Sequence, residues 1–325
     1  MKIFTDEDVA RLLPMADAIE VVAQAMRTVS AGGAEQPLRH LVPAGSGNAM
    51  GVMSGSLTDP ACFGVKLVSL FPGNPARGLS SHRGAVVLFE SETGGAVAMM
   101  DAARLTAVRT AAASAVATRA LAPESASTMA LIGCGEQAEF HLEAINTVRP
   151  LSQVWVTGRS IDSAKAFSAR LSDRYPALTI VPSEDSESAV RASDIVCTVT
   201  SSPTPVLFGD WLRPGQHLNI VGASIPVKRE VDDAVVLRSS LWVDYRPSAF
   251  AQAGELVDMI AAGRMDEGSV IGEIGEVLSG TARARQSADE ITLYRSLGVI
   301  AQDLATADYI LRAADQAGTG QIATL

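Results

Sequence analysis

Near the start of the chain apolar residues recur at helical spacing. Met15, Ile19, Val22, Met26 and Val29 lie between Pro14 and Gly32-Gly33, which predicts a helix with one buried face. Just before it, Thr5 and Asp8 have the capping-box spacing of a shorter helix. Over residues 38–100 the pattern shortens to runs such as Gly64-Val65-Lys66-Leu67-Val68-Ser69-Leu70 and Gly84-Ala85-Val86-Val87-Leu88-Phe89. These are separated by Gly, Pro, Asn and Ser, so hairpins of an α+β region are expected. Residues 101–121 read as one long Ala-rich helix bearing Arg104, Arg109 and Arg119, stopped by Pro123.

The character then changes to alternation. Strand patterns at 128–132, 153–157, 178–181, 194–200, 217–221 and 241–245 are interleaved with helical ones. That order predicts an α/β fold with a Rossmann-type doubly wound parallel sheet. After Pro247 the chain reads as helical again, and 292–314 reads as a long Ala-rich helix returning to the first domain. The expected division is therefore 1–122 with 292–325 as one domain, discontinuous and α+β, and 123–291 as an inserted dinucleotide-binding domain.

Composition narrows the chemistry. With 325 residues, 47% hydrophobic and 5% aromatic, the chain is long enough for two domains with well-packed cores. A formal charge of −10 and the lack of long basic runs argue against nucleic acid as a partner. Cys62, Cys134 and Cys197 are scattered in apolar segments, as reduced thiols are in the cytoplasm, and the four histidines show no metal-ligand spacing. No metal is expected. The acids among Met1 to Asp8 do not suit a signal peptide, and no stretch approaches eighteen uninterrupted apolar residues, so no membrane is expected and the cytoplasm is the default location.

The strongest motif is Met129-Ala130-Leu131-Ile132-Gly133-Cys134-Gly135-Glu136-Gln137-Ala138, a strand, then G-x-G-x-x-A, then a helix. Gly133 permits the tight turn, Gly135 lets backbone approach a pyrophosphate and Ala138 allows close helix packing, with Glu136 and Gln137 in the same loop. At the end of the second strand, where an acid would bind the ribose 2′-hydroxyl of NAD, stand Arg159 and Ser160. A cation and a hydroxyl suit a 2′-phosphate, so NADP(H) is favoured with NAD(H) as the alternative; Arg159 stacking on adenine or facing solvent is the other reading. Thr198, Thr200 and Ser201 follow the fourth strand, where they either line the nicotinamide side or form an ordinary polar loop.

With that fingerprint placed, further segments resemble the ornithine cyclodeaminase and mu-crystallin family along nearly the whole chain. They are Phe63-Gly64-Val65-Lys66-Leu67-Val68, Ser81-His82-Arg83-Gly84, Leu105-Thr106-Ala107-Val108-Arg109-Thr110-Ala111-Ala112 and Ser296-Leu297-Gly298. The resemblance implies a discontinuous substrate and dimerisation domain with an inserted NAD(P)-binding Rossmann domain, and a homodimer. It also implies that Arg39, Lys66 and Arg109 surround the α-carboxylate and reacting nitrogen of a small amino or imino acid, with Thr110 on the cofactor side. Lys66 has support of its own. An unpaired ammonium between apolar strand neighbours is costly to bury, a cost a bound anion would offset, although a stem snorkelling to water would also do so. Arg109 alone reads as a solvated helix charge, Arg39 rests on the resemblance, and His82 is either a substrate hydrogen-bond donor or structural.

One departure matters. In ornithine cyclodeaminase the turn after the fifth Rossmann strand carries an acid, whereas in this chain it reads Gly222-Ala223-Ser224-Ile225-Pro226. A hydroxyl cannot replace a carboxylate base near neutral pH, which favours imine reduction by an NAD(P)H-dependent oxidoreductase over cyclodeamination. The substrate expected is a small 2-imino or cyclic ketimine acid. Cyclodeaminase chemistry, an alanine-dehydrogenase-like activity and a non-catalytic NADPH-dependent binding protein stay open at this point.

Overall fold

A computed structural model describes residues 1–324 of the chain. It contains two compact units: residues 1–112 together with the stretch from Gly298 onward, and residues 113–297.

In the first unit β1 (Lys2–Phe4) precedes α1 (Asp6–Leu12) and α2 (Met15–Ser30). The Thr5 hydroxyl accepts the Asp8 N–H and the Asp8 carboxylate accepts the Thr5 N–H, so the capping box is made in both directions. Ile19, Val22, Met26 and Val29 form the buried face of α2, as their spacing requires. The sheet uses β2 (Ala34–Glu35), β3 (His40–Pro43), β4 (Ala49–Thr58), β5 (Ala61–Leu70), β6 (His82–Phe89) and β7 (Ala96–Asp101). Its order is Gln321–Ile322, β1, β7, β6, β5, β4, β2, with β3 also on β4. Met53 pairs with Lys66 and Lys66 with Val86, so these side chains share one face. The closing helix Ile300–Ala317 packs on that face. A Cβ at Gly55 would lie 2.6 Å from Ile300 Cγ2, and one at Gly64 would lie 2.8 Å from Leu304 Cδ2. Glycine at these two strand positions is what lets the helix come close.

In the second unit every strand is parallel: β8 (Thr128–Ile132), β9 (Gln153–Thr157), β10 (Thr179–Pro182), β11 (Ile195–Thr198), β12 (His217–Ile220), β13 (Ser240–Val243), β14 (Val270–Glu273) and β15 (Thr292–Arg295). The order is β10-β9-β8-β11-β12-β15-β13-β14, so the direction of winding reverses between β8 and β11. Helices flank the strands and buried Leu, Val and Ile pack on both faces of the sheet. The fold class is thus the α/β, doubly wound arrangement the alternation predicts.

Two readings of the sequence are corrected. The segment 292–314 is not one helix: Thr292-Leu293-Tyr294-Arg295 is a fully buried strand between β12 and β13, and helix begins only at Ile300. Gly298, at φ 75°, separates the two. The region after Pro247 is not wholly helical either, because it contributes β14 at the sheet edge. Accordingly the chain returns to the first unit at Gly298 and not at residue 292. At the other junction the unbroken helix α3 (Ala102–Leu121) carries the change of unit at 112/113, upstream of the Pro123 that punctuates the sequence. Among the described residues, no helix is long and apolar enough to cross a membrane.

Candidate functional site

The first unit builds its candidate site around one carboxylate. Lys66, on the inner face of β5, is 2% exposed, and its Nζ donates to Asp303 Oδ1 at 2.9 Å and Oδ2 at 2.8 Å. Arg109, from α3, donates from Nε to Asp303 Oδ1 at 3.0 Å and from Nη1 to Gln302 Oε1 at 2.9 Å. Asp303 itself is fully buried. The partner that offsets the burial of Lys66 is therefore this internal acid, where the sequence suggested a bound anion. Burial first, then the neighbouring Arg109 charge, pull the Lys66 ammonium down to about 7, against the opposing pull of Asp303. The Thr106 hydroxyl, 3.4 Å away, accepts a further bond from the same nitrogen.

Arg39 adds a third cation, donating from Nη2 to the Gly298 carbonyl at 3.3 Å. A side chain at Gly298 would collide with the Arg109 guanidinium, so the glycine of the Ser296-Leu297-Gly298 segment both turns the chain and leaves room for that arginine. Lys66 and Arg109 share Asp303, and Arg39 lies near enough to act on the Lys66 charge, so the cluster has a positive surplus suited to an organic carboxylate. His82 stands exposed at the start of β6, with Nδ1 2.9 Å from the Ser81 hydroxyl. Partial desolvation, then the charges of Lys66, Arg109 and Arg39, lower its pKa, so it stays neutral near pH 7. Thr110 follows Arg109 in α3 and is buried.

The second unit places the glycine-rich loop between β8 and α4 (Glu136–Val148). Gly133 adopts φ 122°, where a Cβ would press on the Val199 carbonyl, so the tight turn needs glycine. Gly135 is the N-cap of α4, makes no side-chain cap bond and has nothing within 4 Å of where its Cβ would be. Ala138 is buried, Glu136 is exposed, and the buried Gln137 Oε1 has no partner. An open cradle at a helix N-terminus, with an unsatisfied acceptor beside it, fits a pyrophosphate with its adjoining ribose hydroxyls. At the end of β9, Arg159 is exposed and Ser160 caps α5 (Ile161–Ser172) by accepting the Ser163 N–H. Ser201 is exposed, and Ser224 stands half-buried in the turn after β12.

Thr198 and Thr200 are less available than their position suggests. Their hydroxyls donate to Glu230, at 2.9 and 2.7 Å respectively. Sequence reasoning missed both Glu230 and Asp303. The signal for Asp303 was present: it lies on the apolar stripe Ile300, Leu304, Ala307 and Ile310, where an unpaired acid is not tolerated. Glu230, in Lys228-Arg229-Glu230-Val231-Asp232, carried no such signal among its charged neighbours.

The profile of the Ornithine cyclodeaminase/mu-crystallin family matches residues 1–318 of the chain. The ketimine reductase mu-crystallin of Mus musculus is 33% identical over 280 residues, covering 86% of this chain and 85% of that one. The structure of Thermococcus litoralis Δ1-pyrroline-2-carboxylate reductase in complex with NADH and L-proline superposes with a TM-score of 0.95 at 32% identity, covering 99% of this chain and all of the other. An archaeal alanine dehydrogenase dimer with bound NAD gives 0.92 at 31% identity, covering 99% and 98%.

Proposed function

The chain belongs to the ornithine cyclodeaminase/mu-crystallin family, and on that premise we propose that it reduces a small 2-imino or cyclic ketimine carboxylic acid to the amino acid, as an NAD(P)H-dependent oxidoreductase acting on C=N. The observation that carries this reading is the buried cationic cluster on Asp303, with an ammonium held near neutrality. When bound, the reduced nicotinamide supplies the hydride that the C=N carbon receives. Gly133, Gly135, Gln137 and Ala138 form the loop that would hold its pyrophosphate. Arg39 and Arg109 bind and orient the substrate carboxylate, with His82 at the rim as a neutral hydrogen-bond donor. Lys66, with its pKa near 7, gives the proton that the imine nitrogen gains as C=N becomes CH–NH. Ser224 orients substrate but supplies no carboxylate, which sets cyclodeamination aside.

A turnover panel tests the reading. Nicotinamide oxidation is followed with cyclic ketimine acids, and with pyruvate or glyoxylate plus ammonia or amines; ornithine with NAD is assayed for ammonia release. Oxidation with a ketimine and no ammonia from ornithine is expected. Robust ornithine-dependent ammonia release would restore the cyclodeaminase reading, and tight nucleotide binding without turnover would favour a binding protein.

For the cofactor we favour NADPH over NADH, because Arg159 and Ser160 stand where an acid would select the free ribose. Arg159→Ala should weaken NADPH by about tenfold and leave NADH unchanged, as read by fluorescence titration. Equal affinity of the wild type for both nucleotides rejects this preference.

We also read the protein as a homodimer built on the sheet of the first unit. The face opposite Lys66 exposes Val42 (37%), Met50 (39%) and Leu67 (38%), beside partly buried Phe63, Val65 and Phe89. Such an apolar sheet face suits a second copy of the chain. Light scattering should give twice the chain mass, and Val42→Glu with Met50→Glu should shift it to the monomer; a monomeric wild type at micromolar concentration contradicts the assignment.

A further inference from the structure

We propose that Glu230 is a positioning residue for the cofactor site, its buried carboxylate tying the loop after β11 to the turn after β12 so that the two hold one geometry. This rests on the oxidoreductase reading above. Winding reverses between β8 and β11, and in a doubly wound sheet the dinucleotide crevice lies outside the carboxyl ends of the strands at such a point. The loop 198–202 leaves the end of β11, and the turn 222–224 leaves the neighbouring end of β12.

Glu230 joins them with both oxygens. Oε1 accepts the Thr200 N–H at 2.6 Å and the Thr200 hydroxyl at 2.7 Å, while Oε2 accepts the Thr198 hydroxyl at 2.9 Å and the Gly222 N–H at 2.5 Å. The carboxylate is fully buried, so these four donors replace water. A side chain at Gly222 would collide with the Thr200 backbone and with Glu230 itself, so glycine there allows the two segments to meet. The same turn is gripped from its carbonyl side. Arg295 donates to the Ile220 carbonyl at 3.2 Å and to the Ala223 carbonyl, and is neutralised by the buried Glu255. The turn carrying Ser224 is therefore held on its N–H side by Glu230 and on its C=O side by Arg295.

Glu230→Gln keeps the shape but turns one acceptor oxygen into a donor, which cannot accept both the Thr198 hydroxyl and the Gly222 N–H. In the full-length protein this variant should raise the NADPH and NADH dissociation constants about tenfold and lower kcat further. Thr198→Val, which removes one bond and leaves the charge in place, should move cofactor affinity and kcat the same way by a smaller factor, with only a small fall in the thermal midpoint. A purely structural role predicts the opposite split, a lowered midpoint with unchanged kcat and cofactor affinity. If Glu230→Gln does not fold, Thr198→Val decides alone. Wild-type cofactor affinity and kcat in the folded variants overturn the proposal, whereas a wild type that binds neither nucleotide overturns the oxidoreductase reading and this proposal with it.

Discussion

Lys66→Met is expected to lower kcat for imine reduction by roughly 10²–10⁴-fold while leaving the cofactor dissociation constant unchanged. Lys66 belongs to the first unit and the glycine-rich loop to the second, so a loss confined to turnover separates proton delivery from nucleotide binding. The variant should fold, because Asp303 keeps its ion pair with Arg109 when the ammonium is removed. The pH dependence has a definite sign. A cationic acid pulled down to about 7 is protonated below that value, so reduction should fall as pH rises through it and amino acid oxidation should rise. Ser224→Ala is the contrasting change and should cost far less. A Lys66→Met enzyme retaining more than a tenth of wild-type kcat, or losing cofactor affinity in parallel, would exclude Lys66 as the proton donor.

Asp303→Ala should instead be felt first in stability. It leaves two buried cations without their shared carboxylate, and breaking a buried ion pair from one side costs about 3–5 kcal/mol. Lys66 can escape part of that by losing its proton, so the lower end applies, and a fall of roughly 6–12 °C in the melting midpoint is expected. Turnover should fall as well, since both Lys66 and Arg109 lose their fixed orientation. The lysine also sets the direction of the pH effect in the wild type. Its folded value of about 7 lies below the ordinary 10.5, so the unfolded chain binds more protons between those limits. Its contribution to stability is complete above about 10.5 and is lost as pH falls toward 7. Removing Asp303 takes away the group that holds the ammonium up, so that window should extend to lower pH. Thermal melts at about pH 6 and about pH 9, on either side of the folded value, measure this. The variant's deficit should be larger at the lower pH, and an equal deficit at both would show that Asp303 does not pair with a protonated Lys66.

The parts of this protein legible from sequence are those whose physics is local. Apolar strands punctuated by glycine and followed by helical periodicity placed β8, its G-x-G-x-x-A loop and α4 within a residue or two, because each needs only its own neighbours to be recognised. Lys66 stood out in its apolar strand as a charge without a local partner, whereas Arg109 in its Ala-rich helix was singled out only by the family resemblance. What neutralises them did not, because Asp303 lies 237 residues from Lys66 and meets it only when the closing helix packs on the sheet. Glu230 was hidden for the same reason, one acid in a charged run until two separate loops turn their donors toward it. Thr292–Arg295 shows the limit most plainly. Four residues followed by a strong helix carry the helix's pattern in any reading window, and only the gap between β12 and β13 in a fully buried parallel sheet makes them a strand. Periodicity along the chain therefore determined the class of fold and the glycine-rich loop after β8, while the pairing of buried charges and the strand Thr292–Arg295 were decided by tertiary packing, since burying a charge or a backbone edge is allowed only where a distant segment completes its bonds.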